Sequence, residues 1–280
     1  MDERAPGVEV IVPEKKSVSG MGWGVLKIGG LALGLCLLSG CPRPIEEPTQ
    51  PQGQGNEHIE SFAQAKKHIY ALAAASSKTF YCDCDFKKRR VDPTRCGYVP
   101  QKSNKRAKRT EIEHVVPAYA FGRGFVEWRE GDTRCRDKNG RPFKGRNCAR
   151  KASKIFRMME ADLFNLRPVI GELNAKRRHF SMAVLPGEAR EFGQCDFEVV
   201  SRRVEPRPDI RGDIARTYFY MHWAYPGRGV LSKKQKQLFD AWSQSDPVDA
   251  AERAWADSIS AIQGNRNPFV QGALESRGDP

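Results

Sequence analysis

The chain has 280 residues, of which 39% are apolar and 29% charged, and a formal net charge of +13. That balance fits a soluble globular protein with polar tails, long enough for one large domain or two small ones. Acidic and basic side chains are equal in number up to residue 40, which excludes a targeting tail as the source of the excess; the folded part carries it and draws polyanions such as nucleic acid, anionic lipid or acidic polysaccharide.

Near the start, "MGWGVLKIGGLALGLCLLSGC" (21–41) places Lys27 before an apolar run, Ile28–Leu38. The run is too short for a comfortable membrane span and fits the apolar region of a signal peptide. It ends in Leu38-Ser39-Gly40-Cys41, which resembles a bacterial lipobox and makes Cys41 the expected acceptor of a lipid anchor. Residues 1–20 are unusual ahead of a signal, so either Met21 is the start or the leading segment is long. Residues 42–59, rich in Pro, Gln and Gly, read as a tether.

Beyond it, apolar residues at 62, 65, 69, 72 and 73 predict a helix over 61–76 with Ser61 as N-cap. A turn-rich, cysteine-rich stretch (80–109) ends in the basic run "KSNKRAKR". Residues 110–116 predict a short strand ending at Pro117. Residues 131–150 read as a polar loop or ribbon that a Cys135–Cys148 bridge would staple. Ile155, Met158, Met159 and Leu163 predict a helix over 152–166, closed by Pro168. A β region near 194–203 follows, then three helices over 209–225, 232–245 and 248–263, the last ended by Gly264. One α+β domain over about 60–270 is expected, with 271–280 as a tail.

Six cysteines follow the signal: Cys82, Cys84, Cys96, Cys135, Cys148 and Cys195. An even number in an exported chain predicts disulfides, although spacing does not fix their pairing. Zinc is disfavoured, because no Cys-x-x-Cys pair is present and Cys82-Asp83-Cys84 is a poor chelate.

Of the five histidines, only His114 combines nearby carboxylates, Glu111 and Glu113, with a basic run just upstream. Phosphodiester hydrolysis asks for that combination. A neutral imidazole deprotonates water near pH 7. A hard cation on oxygen ligands offsets the growing charge, and an arginine grips the phosphate. One difficulty is visible: in a regular strand Glu113 and His114 face opposite sides, so the strand must break or end there.

The stretches "FYCDCD" (80–85), "CGY" (96–98), "EIEHVVPAYAFGR" (111–123), "MEADLFNLRPVIGELN" (159–174), "GQCDFEV" (193–199), "EPRPDIRGDIARTYFYM" (205–221), "LSKKQKQLFDAWSQSDPV" (231–248) and "IQGNRNPFV" (262–270) resemble, in order, the bacterial periplasmic or secreted endonuclease I family. The resemblance implies a single mixed α+β domain containing a ββα-metal (His-Me finger) motif. It implies His114 as general base, Glu113 and Asn165 as Mg²⁺ ligands, and Arg146 as the phosphate-holding arginine, with Arg141 the alternative because the loop differs in length. Glu160 and Asp162 receive no role. Two cysteines usual in the family are missing, and Arg266 stands where a histidine is usual. Three bonds remain possible, with Cys135–Cys148 favoured as one.

The implied function is a Mg²⁺-dependent, sequence-non-specific endonuclease of the cell envelope acting on DNA and also RNA, leaving 5′-phosphate ends. The expected form is a monomer in the periplasm, anchored through Cys41 to the outer membrane, with secretion as the alternative. The rival is a catalytically inactive, lipid-anchored nucleic-acid-binding protein, which would have no need of the Glu113-His114 pair.

Overall fold

The computed structural model describes residues 55–272 apart from Ser103 and Glu188. The signal, the lipobox and residues 42–54 lie outside them, as do residues 273–280.

Helix α1 (Phe62–Ser76) buries Ala65, Ile69 and Ala73, with Phe62 and Leu72 packed beside them. Ser61 stands at its N-cap, but the hydroxyl makes no capping bond. A hairpin of β1 (Asp85–Lys87) and β2 (Arg90–Asp92) comes next. Strand β3 (Thr110–His114) stops short of the expected end at residue 116, and two short helices follow, α2 (Ala118–Gly122) and α3 (Val126–Arg129).

Local capping moves two boundaries. The loop expected over 131–150 ends at Gly145, whose φ of 82° favours glycine, and α4 (Arg146–Ala152) starts there. The helix expected over 152–166 is only α5 (Lys154–Glu160). The Ser153 hydroxyl accepts from the Phe156 N–H and opens it, while Asp162 accepts from the Phe164 N–H and opens a separate 3-10 turn, Leu163–Asn165. Ile155, part of the apolar spacing that predicts the helix, is exposed. Pro168 closes no helix; it lies within β4 (Leu166–Ile170), opposite Ile112 of β3. Each strand of a two-stranded sheet is an edge, where a proline's missing N–H is tolerated.

Helix α6 (Gly171–Arg177) leaves β4 directly. Strands β5 (Ser181–Met182), β6 (Phe197–Val200) and β7 (Arg203–Pro206) form a sheet in the order β5-β7-β6. The β region expected at 194–203 is thus two strands, β6 and β7, antiparallel across Ser201 and Arg202, both left-handed at φ 49° and 64°. The three C-terminal helices appear as α7 (Arg211–Ala224), α8 (Lys233–Ser245) and α9 (Ala250–Gln263), and Gly264 at φ 83° ends the last. A short α10 (Pro268–Gln271) follows.

Helix α7 buries Ile214, Ala215, Tyr218, Phe219, Tyr220 and Met221, so its apolar surface runs around most of the helix and places it in the core. Arg216 ties it to α9 by hydrogen bonds to both Glu252 oxygens, with both residues buried. Asp162, wholly buried, accepts from the Tyr220 and Tyr225 hydroxyls, each at 2.7 Å, and from Gln263 Nε2 at 3.0 Å. It also accepts from the Asn56 N–H at 3.3 Å. Asn56 is buried and its Nδ2 donates to the Met158 carbonyl, so residues 55–59, read as the end of the tether, pack against the domain. The described residues form one mixed α+β domain.

The six cysteines pair as Cys82–Cys195, Cys84–Cys96 and Cys135–Cys148. The first joins residues 113 apart and closes the largest loop. Alkylation of the native protein without reductant is expected to label none of the six. Reduction should lower the thermal midpoint, because losing a native disulfide typically costs about 2–5 kcal/mol. Labelling of several of them before reduction would overturn this pairing.

Candidate active site

Strands β3 and β4 run antiparallel, with Glu113 opposite Arg167 and His114 opposite Leu166, and α6 packs on both strands. The pleat breaks after His114 because Asn165 holds the chain there. Its backbone carbonyl accepts from the Val115 N–H at 3.0 Å, its Oδ1 accepts from the Val116 N–H at 2.7 Å, and its Nδ2 donates to the Val116 carbonyl at 3.0 Å. Buried Arg177 adds a bond from Nη2 to the Val115 carbonyl at 2.6 Å. With the strand ended, Glu113 and His114 both line one cavity of about 770 Å³, together with Arg146.

His114 is buried, its ring 4.6 Å from that of Phe62. Its Nε2 lies 2.8 Å from the Glu160 carbonyl oxygen. A carbonyl only accepts, so Nε2 carries the proton and Nδ1 carries the basic lone pair of the neutral ring. Burial, reinforced by the nearby Arg146 charge, pushes the imidazole down to about 4, so it is neutral at physiological pH.

Glu113 is buried as well. Its Oε1 accepts from the Tyr81 hydroxyl at 3.1 Å and lies 3.2 Å from Arg177 Nε. Burial pushes the carboxyl up to about 7, against the opposing pull of Arg177 and Tyr81. Glu160 is buried outside the cavity lining and holds two residues that line it. Its carboxylate accepts from Arg146 Nε at 2.5 Å and from Arg150 Nε at 2.6 Å, while its carbonyl holds His114. One buried residue thus orients both the imidazole and a half-exposed guanidinium.

A family model for endonuclease I matches residues 56–273 of this chain. The periplasmic deoxyribonuclease of Aeromonas hydrophila is 36% identical over 254 residues, covering 88% of this chain and 96% of the relative. An extracellular deoxyribonuclease of the same organism is 38% identical over 222 residues, covering 76% of this chain and 90% of the relative. Endonuclease-1 of Buchnera aphidicola subsp. Acyrthosiphon pisum (strain APS) is 36% identical over 218 residues, covering 76% and 81%. The chain belongs to the endonuclease I family. It is therefore an enzyme, a nuclease.

Within this endonuclease I domain, the site residues expected from sequence do not all converge. Glu113, His114 and Arg146 line the cavity. Arg141 does not; it sits in an exposed turn where its N–H donates to Asp137 at 2.9 Å. Asn165 does not either. It is wholly buried and both ends of its amide are spent on Val116, which makes it a brace for the strand end rather than an open ligand. The asparagine on the cavity is Asn174, one turn into α6. Its Nδ2 donates to Glu111 Oε2 at 3.0 Å, which leaves Oδ1 as the free end of the amide. Sequence reasoning missed Asn174 and Glu160. A signal for Asn174 existed: Gly171 directly follows the apolar strand, and a Cβ there would meet the Arg106 carbonyl at 2.8 Å and Glu111 Cδ at 2.9 Å. The glycine marks the close approach that brings α6 to the site.

Among the described residues, no group of three or more His, Cys, Asp or Glu side chains is set to hold a metal ion. Two carboxylates line the cavity, but the oxygens of Glu111 are taken by Arg106, Arg109 and Asn174, so what it offers a cation is the Glu113 carboxylate and the Asn174 amide oxygen. Two hard oxygen donors suit Mg²⁺, which keeps several waters and takes few protein ligands. The buried Glu113 carboxyl, held near 7, would regain its charge beside a divalent cation. The residues present fit that ion. Lys66, Lys67, Arg89, Arg109 and Arg178 complete a strongly basic lining.

Proposed function

We propose that the protein is an exported, Mg²⁺-dependent endonuclease that hydrolyses phosphodiester bonds of DNA without sequence preference, leaving 5′-phosphate ends, with RNA as a second substrate. The observation that carries this reading is the convergence of His114, Glu113, Asn174 and Arg146 on one basic cavity. The relatives named deoxyribonucleases support DNA as the substrate class, and their periplasmic and extracellular designations support export. Three disulfides agree with an oxidising compartment. A lipid on Cys41 would keep the enzyme at the outer membrane, working as a monomer.

The antiparallel β3-β4 pair and α6 form the ββα unit of this reading. His114 uses Nδ1 to take a proton from the attacking water, with Nε2–H anchored on Glu160. Arg146, aimed by the Glu160 carboxylate, grips a phosphate oxygen. Glu113 and Asn174 would hold Mg²⁺, which when bound would supply electrostatic stabilisation of the negative charge that develops on the phosphate and the departing oxygen. A protein that only binds nucleic acid has no need of an imidazole oriented in this way, which disfavours the inactive-binder alternative.

Plasmid nicking tests the reading. Cleavage is expected with Mg²⁺, to stop in EDTA and to return with added Mg²⁺. Binding should weaken steeply with salt, since phosphate contacts release counterions. Ends from a random library should show only mild composition bias. Full activity in EDTA, or a sharp motif of several defined bases, would sink the proposal.

A further inference from the structure

Two glutamates stand two residues apart on β3, and the proposed mechanism uses only Glu113. Glu111 also borders the cavity, yet its oxygens are already engaged. Oε1 accepts from Arg106 Nε at 2.9 Å and from Arg109 Nη2 at 2.9 Å. Oε2 accepts from Arg106 Nη2 at 2.5 Å and from Asn174 Nδ2 at 3.0 Å. Two guanidiniums therefore fix the carboxylate, and the carboxylate fixes the amide. Gly171 allows α6 to approach closely enough for this, since any Cβ there would collide with Glu111 and with the Arg106 backbone.

An asparagine amide has one donor end and one acceptor end, and free rotation presents either. A carboxylate accepts only. By taking the NH₂ end it forces the carbonyl end outward, and by neutralising its own charge on two arginines it does not compete for a cation. We infer that Glu111 is a positioning residue, clamped by Arg106 and Arg109, that sets the Asn174 amide with Oδ1 available for the divalent ion. The inference rests on the metal reading above and names a residue which that reading leaves idle.

The test is Mn²⁺ affinity of the metal-stripped, DNA-free protein, read from the electron paramagnetic resonance signal of free Mn²⁺, with the thermal midpoint measured beside it. Glu111→Gln keeps the shape but offers a mixed amide, so the Asn174 amide loses its enforced direction. Removing a partner that orients a metal ligand typically weakens affinity by about 10–100-fold. A loss of that size is expected in Glu111→Gln. In an Asn174→Ala background the same substitution should add no further loss, because its effect passes through Asn174. A role confined to folding would move the midpoint and leave Mn²⁺ affinity alone. If Glu113→Gln and Asn174→Ala weaken binding while Glu111→Gln does not, the inference fails and the metal reading stands. An additive loss in the double variant also overturns it. If neither Glu113→Gln nor Asn174→Ala changes Mn²⁺ binding, the metal reading fails and takes the inference with it.

Discussion

Replacing His114 with alanine is expected to reduce cleavage by about 10²–10⁴-fold, the usual worth of a positioned general base. Nucleic-acid affinity should stay near the wild-type value. The reason lies in how the ring is held. Nε2–H is committed to the Glu160 carbonyl, so the lone pair on Nδ1 is the reactive end. Burial and Arg146 keep the imidazole neutral down to about pH 4, so the base is present in its working form at every physiological pH. The turn after His114 is fixed by Asn165 and Arg177, not by the imidazole, and survives its loss. Turnover on supercoiled plasmid, with binding measured separately in EDTA, separates the two effects. Near-wild-type turnover would remove His114 from the mechanism. Restoration of cleavage by added imidazole would strengthen its assignment.

What the sequence disclosed depended on the range of the interactions involved. Helix α1 and the end of α9 were legible because the apolar spacing of the first and the glycine stop of the second are local. The Glu113-His114 pair was legible because both residues and the basic run are contiguous. Arg146 was legible as a type but not in its orientation, since Glu160 aims it from the next helix. The over-long helix at 152–166 arose because the apolar spacing continues past Asp162. The chain is diverted there by a side chain that accepts from Phe164 locally and from Tyr220, Tyr225 and Gln263 at long range. Asn165 and Asn174 could not be told apart from composition. Only the pairing of residue 165 with residue 116, 49 positions away, reveals that the first is spent on the backbone. Only the approach of α6 to Glu111 reveals that the second has a free oxygen.

Glu113 serves two masters, and two substitutions should separate them. Its carboxylate faces the cavity as the proposed ligand, and it is also the acidic partner of Arg177, which is wholly buried. Glu113→Ala removes both functions and leaves a buried guanidinium without its counter-charge, a change that costs about 3–5 kcal/mol in comparable buried pairs. The Arg177 bonds to the Val115 and Arg178 carbonyls soften that loss without replacing the charge. Glu113→Gln keeps the volume and an oxygen for the Tyr81 hydroxyl and Arg177, so the fold should suffer less. The amide oxygen is nevertheless a poorer partner for Mg²⁺ than a carboxylate, and no negative charge remains to draw the ion into a basic cavity. Both variants should therefore lose cleavage at millimolar Mg²⁺, while only the alanine form should show a large fall in thermal midpoint. Raising Mg²⁺ should recover part of the activity of the glutamine form, because the defect is one of affinity. If Glu113→Gln instead follows the wild-type Mg²⁺ activation curve, Glu113 is a counter-ion for Arg177 alone and the ion must be sought elsewhere in the cavity.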